Sequence, residues 1–94
     1  MRFLCYHTLP AGMTIEDLRR VSEQSQKDAE VHGIRSYMSL STGKAVCVIE
    51  AVSKEKIEEF FRKNNLPYDD IVAIEVEGEH GVWTDLRTTE AVAV

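Results

Sequence analysis

The sequence lacks the usual marks of a secreted, membrane-spanning or zinc-knuckle protein. It contains only two cysteines, and neither has a Cys-x-x-Cys partner, so we expect neither a disulfide framework nor a zinc knuckle. No apolar run approaches the roughly 20 residues that span a bilayer, and the first residues lack the basic start and apolar core of a signal peptide. We therefore expect a cytoplasmic protein that does not bind membranes.

The chain also lacks a surplus of positive charge. Its 11 Lys and Arg residues are outnumbered by 16 Asp and Glu, which gives a net charge of −5. Binding to phosphate backbones requires clustered Lys and Arg, so we expect no nucleic-acid partner. The hydrophobic fraction of 44% is typical of a folded domain, and 94 residues fit one such domain. Cys5 and Cys47 lie in apolar segments and are expected to be buried free thiols.

The first half of the chain predicts a strand, a helix and a second strand. Residues 3–9 are rich in aromatic side chains and end at a Pro-Ala-Gly turn. Thr14 followed by Asp17 is typical of a helix N-terminus, and Gly33 is well placed to end that helix. The alternation in residues 34–40 predicts the second strand. The inner stripe of the helix would be Leu18, Val21, Ser22, Ser25, Ala29 and His32, with His32 beside the negative end of the helix dipole.

The second half repeats this pattern. Residues 45–51 form an apolar strand, Ser53 caps a helix, and Asn65 with the following proline ends it before a last strand at residues 71–76. The order βαββαβ predicts an α+β, ferredoxin-like domain over residues 1–81, with a four-stranded antiparallel sheet and both helices on one face. Residues 82–94 would be a tail.

The tail is expected to be an edge strand or partly disordered, with the edge strand at Ala91 to Val94. Trp83 stands alone in it. This side chain either docks over the edge of the core or anchors a partner subunit.

The sheet face away from the helices, the open face, is where we expect function. If the purely apolar sets face the helices, alternation places on it Leu4, Tyr6, Thr8, Arg35, Tyr37, Ser39, Ala73, Glu75 and Glu77. The residues Tyr6 and Tyr37 would be the walls of a small-molecule pocket, and Arg35 and Glu75 its orienting charges. The alternative is that the same tyrosines pack a dimer seam.

A metal site is a second hypothesis. The residue His7 at the end of the first strand, and Glu77, Glu79 and His80 after the last one, would converge if those strand ends meet. Imidazole and carboxylate ligands suit divalent nickel or zinc. We take His7, Glu77 and His80 as the candidate metal ligands.

Catalysis is a third hypothesis, and it depends on fold analogy. Some ferredoxin-like domains pair into dimeric α/β barrels, and proteins of that kind include cofactor-free monooxygenases. His7 with Asp69 or Asp70 would be the acid–base pair here. Buried cysteines are poor nucleophiles, so we assign no catalytic residue.

The chain resembles the small nickel-responsive, ferredoxin-like proteins, over roughly residues 2–78. The resemblance is carried by Phe3-Leu4-Cys5 with Pro10 after it, Ser36-Tyr37, Lys44, Cys47-Val48-Ile49-Glu50-Ala51, and Asn65-Leu66-Pro67 before Ile71. It implies a dimeric α/β barrel in which two open faces meet.

From the residues and this resemblance together, we expect a homodimer that binds a small ligand or a divalent metal such as nickel, without catalysis. The alternatives are a cofactor-independent, monooxygenase-like enzyme and a pure dimerisation module.

Overall fold

The computed structural model describes residues 1–87, which form two helices and six strands. In chain order these are β1 (Arg2–Thr8), α1 (Ile15–Lys27), β2 (Val31–Ser39), β3 (Lys44–Ala51), α2 (Lys54–Lys63), β4 (Asp70–Ala73), β5 (Val76–Glu79) and β6 (Val82–Asp85). The segment Ala91 to Val94, predicted to be either an edge strand or disordered, lies outside the described residues. Neither helix is long and apolar enough to cross a membrane.

Strands β1 to β4 form one antiparallel sheet in the spatial order β2-β3-β1-β4. Strands β5 and β6 form a separate two-stranded hairpin. The predicted α+β class, with two helices and a four-stranded antiparallel sheet, is confirmed, and the topology is consistent with a ferredoxin-like fold.

Most of the core depends on α2. This helix begins at the predicted cap Ser53, whose hydroxyl accepts a hydrogen bond from the backbone N–H of Lys56 at 3.3 Å. It buries Ile57, Phe60 and Phe61. Their partners on the sheet are Phe3, Cys5, Val31, Ile49, Ala51 and Ile71. The helix α1, by contrast, buries none of its residues, so the core is thin and lies on one side of the sheet.

The helix α1 keeps its predicted N-terminal capping box but ends at Lys27, well before the predicted stop at Gly33. The Asp28 carboxylate accepts a hydrogen bond from the backbone N–H of Glu30 at 2.8 Å, and this turn competes with a further helical turn. His32 and Gly33 lie in β2 instead. The predicted role of His32 beside the end of the helix is therefore wrong.

A β-bulge at Ile34 changes which side chains of β2 face the core. One extra residue in a strand moves every later side chain to the opposite face. Val31, before the bulge, is buried in the core, whereas Arg35 and Tyr37, after it, lie on the open face. Without the bulge, Val31 and Arg35 would share a face.

Strand β4 is shorter than predicted, and its side chains face the opposite sides of the sheet from those predicted. Ile71 is buried in the core, whereas Val72 is exposed on the open face. The prediction that Ala73, Glu75 and Glu77 share the open face through alternation is wrong. The strand ends at Ala73, so the two glutamates that decided the predicted orientation lie beyond it.

The residues after β4 form the hairpin. His80 and Gly81 connect β5 to β6 with φ angles of 50° and 78°, as a two-residue type I′ turn requires. Strand β6 falls within the segment predicted as a tail. Its Trp83 lies against Gly78 of the same hairpin and is 72% exposed.

Candidate functional site

Arg2, at the start of β1, ties the hairpin to the sheet. Its guanidinium Nη1 donates to both carboxylate oxygens of Glu77, at 2.9 and 2.8 Å, and its Nε lies 3.4 Å from Glu50. The hydrogen bond that Arg2 donates to Glu77 raises the pKa of Arg2. The backbone N–H of Ile74 also donates to the Arg2 carbonyl at 2.9 Å. The hairpin is therefore held beside the open face.

The hairpin and the open face enclose a cleft of about 700 Å³, which we call the hairpin cleft. The sheet contributes Arg2, Leu4, Arg35, Tyr37 and Val48 to its lining, and the hairpin contributes Val76, Glu77, Glu79, His80 and Val82. The floor is apolar, and the charged groups belong to β1, β2 and the hairpin. This combination of apolar surface with a few polar groups is typical of small-molecule sites.

Arg35 is held more loosely than Arg2. Its Nη1 donates to the Tyr37 hydroxyl at 3.5 Å and lies 3.7 Å from a carboxylate oxygen of Glu79. Both contacts are long, and the two charged side chains are 58% and 69% exposed. An exposed ion pair of this length contributes little to stability.

The structure brings together part of the predicted ligand site. Arg35 and Tyr37 line the hairpin cleft. Tyr6 lines a neighbouring cleft of about 530 Å³ on the same sheet, and Tyr37 stands between the two. Glu75 lies outside the hairpin cleft, with its carboxylate 3.7 Å from Arg87.

The predicted metal ligands His7, Glu77 and His80 are not brought together. Because β1 and β4 are antiparallel, the chain that leaves β4 passes the start of β1 at Arg2. His7 lies near the other end of β1, roughly 17 Å away along the strand. Its Nδ1 is 2.9 Å from the carbonyl oxygen of Pro67.

Within the described part of one chain, the side chains therefore do not form a divalent-metal centre. Within residues 1–87, no three His, Cys, Asp or Glu side chains are grouped so that they could hold an ion. Each carboxylate oxygen of Glu77 already accepts a short hydrogen bond from Arg2, and the Glu79 carboxylate lies 3.7 Å from Arg35. Both carboxylates therefore already have a cationic partner.

The groups considered for catalysis are also engaged elsewhere. The Asp69 carboxylate accepts a hydrogen bond from the Thr8 hydroxyl at 2.7 Å, whereas His7 contacts Pro67. Cys5 and Cys47 are opposite each other on β1 and β3, and both are free, as predicted. Burial raises the pKa of Cys5 to about 12 and also raises the pKa of Cys47. Neither thiol has the electropositive, accessible setting of a nucleophile.

Arg2 and the hairpin are the parts of this site that the sequence analysis did not find. The dipeptide His80-Gly81 between two short alternating segments was the available signal, because left-handed residues at both central positions are typical of tight hairpins. No pattern in the sequence predicts the contact between Arg2 and Glu77.

The fold and cleft define a class of small α+β domains with one helix-covered and one open sheet face. Within this class, the family model described as "Nickel responsive protein SCO4226-like" matches residues 3–74. The chain belongs to this family, which confirms the predicted resemblance. The hairpin strands follow the matched residues.

One solved structure is similar in fold, the crystal structure of SCO4226 from Streptomyces coelicolor A3(2). The match covers 83% of this chain and all of that one, with 20% identity and a TM-score of 0.74. No curated protein matches the chain significantly.

The buried thiol of Cys5 predicts a specific pH dependence of stability. Its pKa rises from 9.0 in the unfolded chain to about 12 on folding, so the unfolded chain loses the proton first. The stabilisation from the protonated thiol is complete below pH 9 and decreases as the pH rises towards 12. We expect the Tm advantage of the wild type over Cys5→Ala to shrink across this range in calorimetry. A constant difference would contradict the assignment.

Proposed function

We propose that this protein is a homodimer that binds a small organic molecule in the hairpin cleft and does not catalyse a reaction on it. The observation that carries the proposal is the cleft of about 700 Å³ between the open face and the hairpin. Its volume lies in the range of roughly 300–1,000 Å³ that is typical of ligand sites.

The lining of the hairpin cleft favours ligand binding. It does not favour the alternative, in which the hairpin closes tightly onto the sheet. Leu4 and Val48 are neighbours on β1 and β3 and provide an apolar floor. Arg2 holds the hairpin at its base through Glu77, so contacts within the protein fix this wall of the cleft. A wall fixed in this way lowers the entropy cost of ordering the site when a ligand binds.

The homodimer is supported by the surface that the open face leaves uncovered. Tyr37 is 59% exposed and Val72 is 39% exposed on this face, on opposite edges of the sheet. Contiguous apolar surface of this kind is typical of an interface. A second copy that pairs its own open face with this one, as in a dimeric α/β barrel, would cover both residues and shield the cleft from water.

A divalent cation, nickel first, is the second ligand class, and family membership favours it. The hairpin offers Glu79 and the adjacent His80 as donors. The described part of one chain does not bring three metal-ligating side chains together. A second copy would therefore have to supply the remaining ligands.

For the dimer, the diagnostic change is Val72→Asp. A buried, unpaired carboxylate at the interface is costly. We therefore expect the molar mass measured by light scattering to fall from twice the 10.7 kDa chain mass to the chain mass itself. The control is Ile15→Asp, because Ile15 is an exposed residue in the first turn of α1, where aspartate is tolerated. Both variants must keep the wild-type circular dichroism. A folded Val72→Asp dimer would refute this interface.

For the cleft, the diagnostic change is Val48→Phe, which fills the floor without adding charge. We expect it to weaken binding of the neutral fluorescent probe N-phenyl-1-naphthylamine by about tenfold, close to 1.4 kcal/mol. Val46→Phe is the matched control, since Val46 is on the same strand and face but lines the neighbouring cleft. Equal effects of the two variants, or no binding to the wild type, would leave the protein as a pure dimerisation module.

Nickel titration separates the two ligand classes. If the organic ligand is correct, saturating nickel leaves the Tm of protein without a His-tag unchanged, because Arg2 and Arg35 neutralise the hairpin carboxylates. A rise in Tm that is lost in His80→Ala but kept in His7→Ala would favour the cation instead.

A further inference from the structure

The two arginines of the hairpin cleft differ in how much of their hydrogen-bonding capacity is used. Arg2 donates to both oxygens of Glu77 through Nη1 and to Glu50 through Nε, so two of its three nitrogens have partners in the protein. Arg35 makes both of its contacts, to Tyr37 and Glu79, through the single nitrogen Nη1. The Nε and Nη2 side of its fork donates no hydrogen bond within residues 1–87.

A carboxylate fits this free side of Arg35. Guanidinium groups bind carboxylates through two parallel hydrogen bonds, which are stronger and more directional than a single long ion pair. Glu79 gives up little if a ligand replaces it, because its carboxylate is 3.7 Å away and largely in water. The hydroxyl of Tyr37 helps to keep the guanidinium over the cleft.

The sheet register places apolar side chains in line with Arg35. Arg35 is opposite Val48, Val48 is opposite Leu4, and Leu4 is opposite Val72. These four residues form one row across the open face, with the charge at one end. Adjacent strands are about 4.8 Å apart, so Leu4 lies about 10 Å from Arg35 along the row.

We infer that the hairpin cleft takes an amphipathic carboxylic acid, with its carboxylate on Arg35 and its apolar body along Val48 and Leu4. This inference rests on the proposed function, since it names the chemistry of the ligand in the same cleft. Arg35 is here the residue that selects for the acid, and the apolar row sets the length of the body.

Three matched probes test this selection, namely 1-naphthylacetate, its neutral amide 1-naphthylacetamide, and the cation 1-naphthylmethylamine. Each is titrated against the full chain, in competition with N-phenyl-1-naphthylamine. We expect the acid to bind at least tenfold more tightly than the amide, and the amine to bind no better than the amide. In Arg35→Gln the preference for the acid should vanish, while binding of the amide is unchanged.

Arg19→Gln is the control for net charge, because Arg19 lies on α1 and pairs only with Glu16 in the described chain. It should keep the full preference for the acid. Equal binding of acid and amide to the wild type would overturn the inference and leave the proposed function intact. Tighter binding of the amine would also overturn it and would assign the recognition to Glu79. Failure of N-phenyl-1-naphthylamine, the neutral competitor, to bind would overturn both this inference and the proposed function.

Discussion

The packing of α2 against one side of a four-stranded sheet is the interaction on which the rest of the structure depends. Ile57, Phe60 and Phe61 supply the only fully packed helix surface in the described chain, because α1 buries none of its residues. A chain of 94 residues has little apolar surface to bury. One sheet face therefore receives almost all of the core, and the other face is left to a hairpin and to any partner.

The hairpin turns that uncovered face into a site. Without β5 and β6 the open face would be an exposed sheet surface with no second wall to form the hairpin cleft. The short contact of Arg2 Nη1 with both oxygens of Glu77 holds the hairpin at its base, and the longer contact between Arg35 and Glu79 lies nearer the turn. Short, charge-assisted hydrogen bonds are stronger than an exposed ion pair at 3.7 Å. The cleft is thus fixed at one end and adaptable at the other, which suits a site that admits a ligand.

Family membership and geometry give different information about function. The matched residues 3–74 cover the sheet and both helices, whereas the carboxylates and imidazole on the hairpin follow them. The predicted metal ligand His7 belongs to the matched part but lies at the far end of β1 from the hairpin. The chain therefore offers a cleft with one loosely held arginine more clearly than it offers a metal centre, and this is why we propose an organic ligand first.

The sequence by itself determined the order of the first six elements, the N-terminal caps of both helices, the burial of Cys5 and the family, because these depend on local chemistry and on apolar patterns. Only the tertiary structure decided which side chains meet. The bulge at Ile34 reverses the alternation of β2, and β4 ends before the glutamates that had oriented it. The partnership of Arg2 with Glu77 joins residues far apart in the chain. Strand direction, register and strand ends fix such contacts, and local sequence patterns do not reveal them.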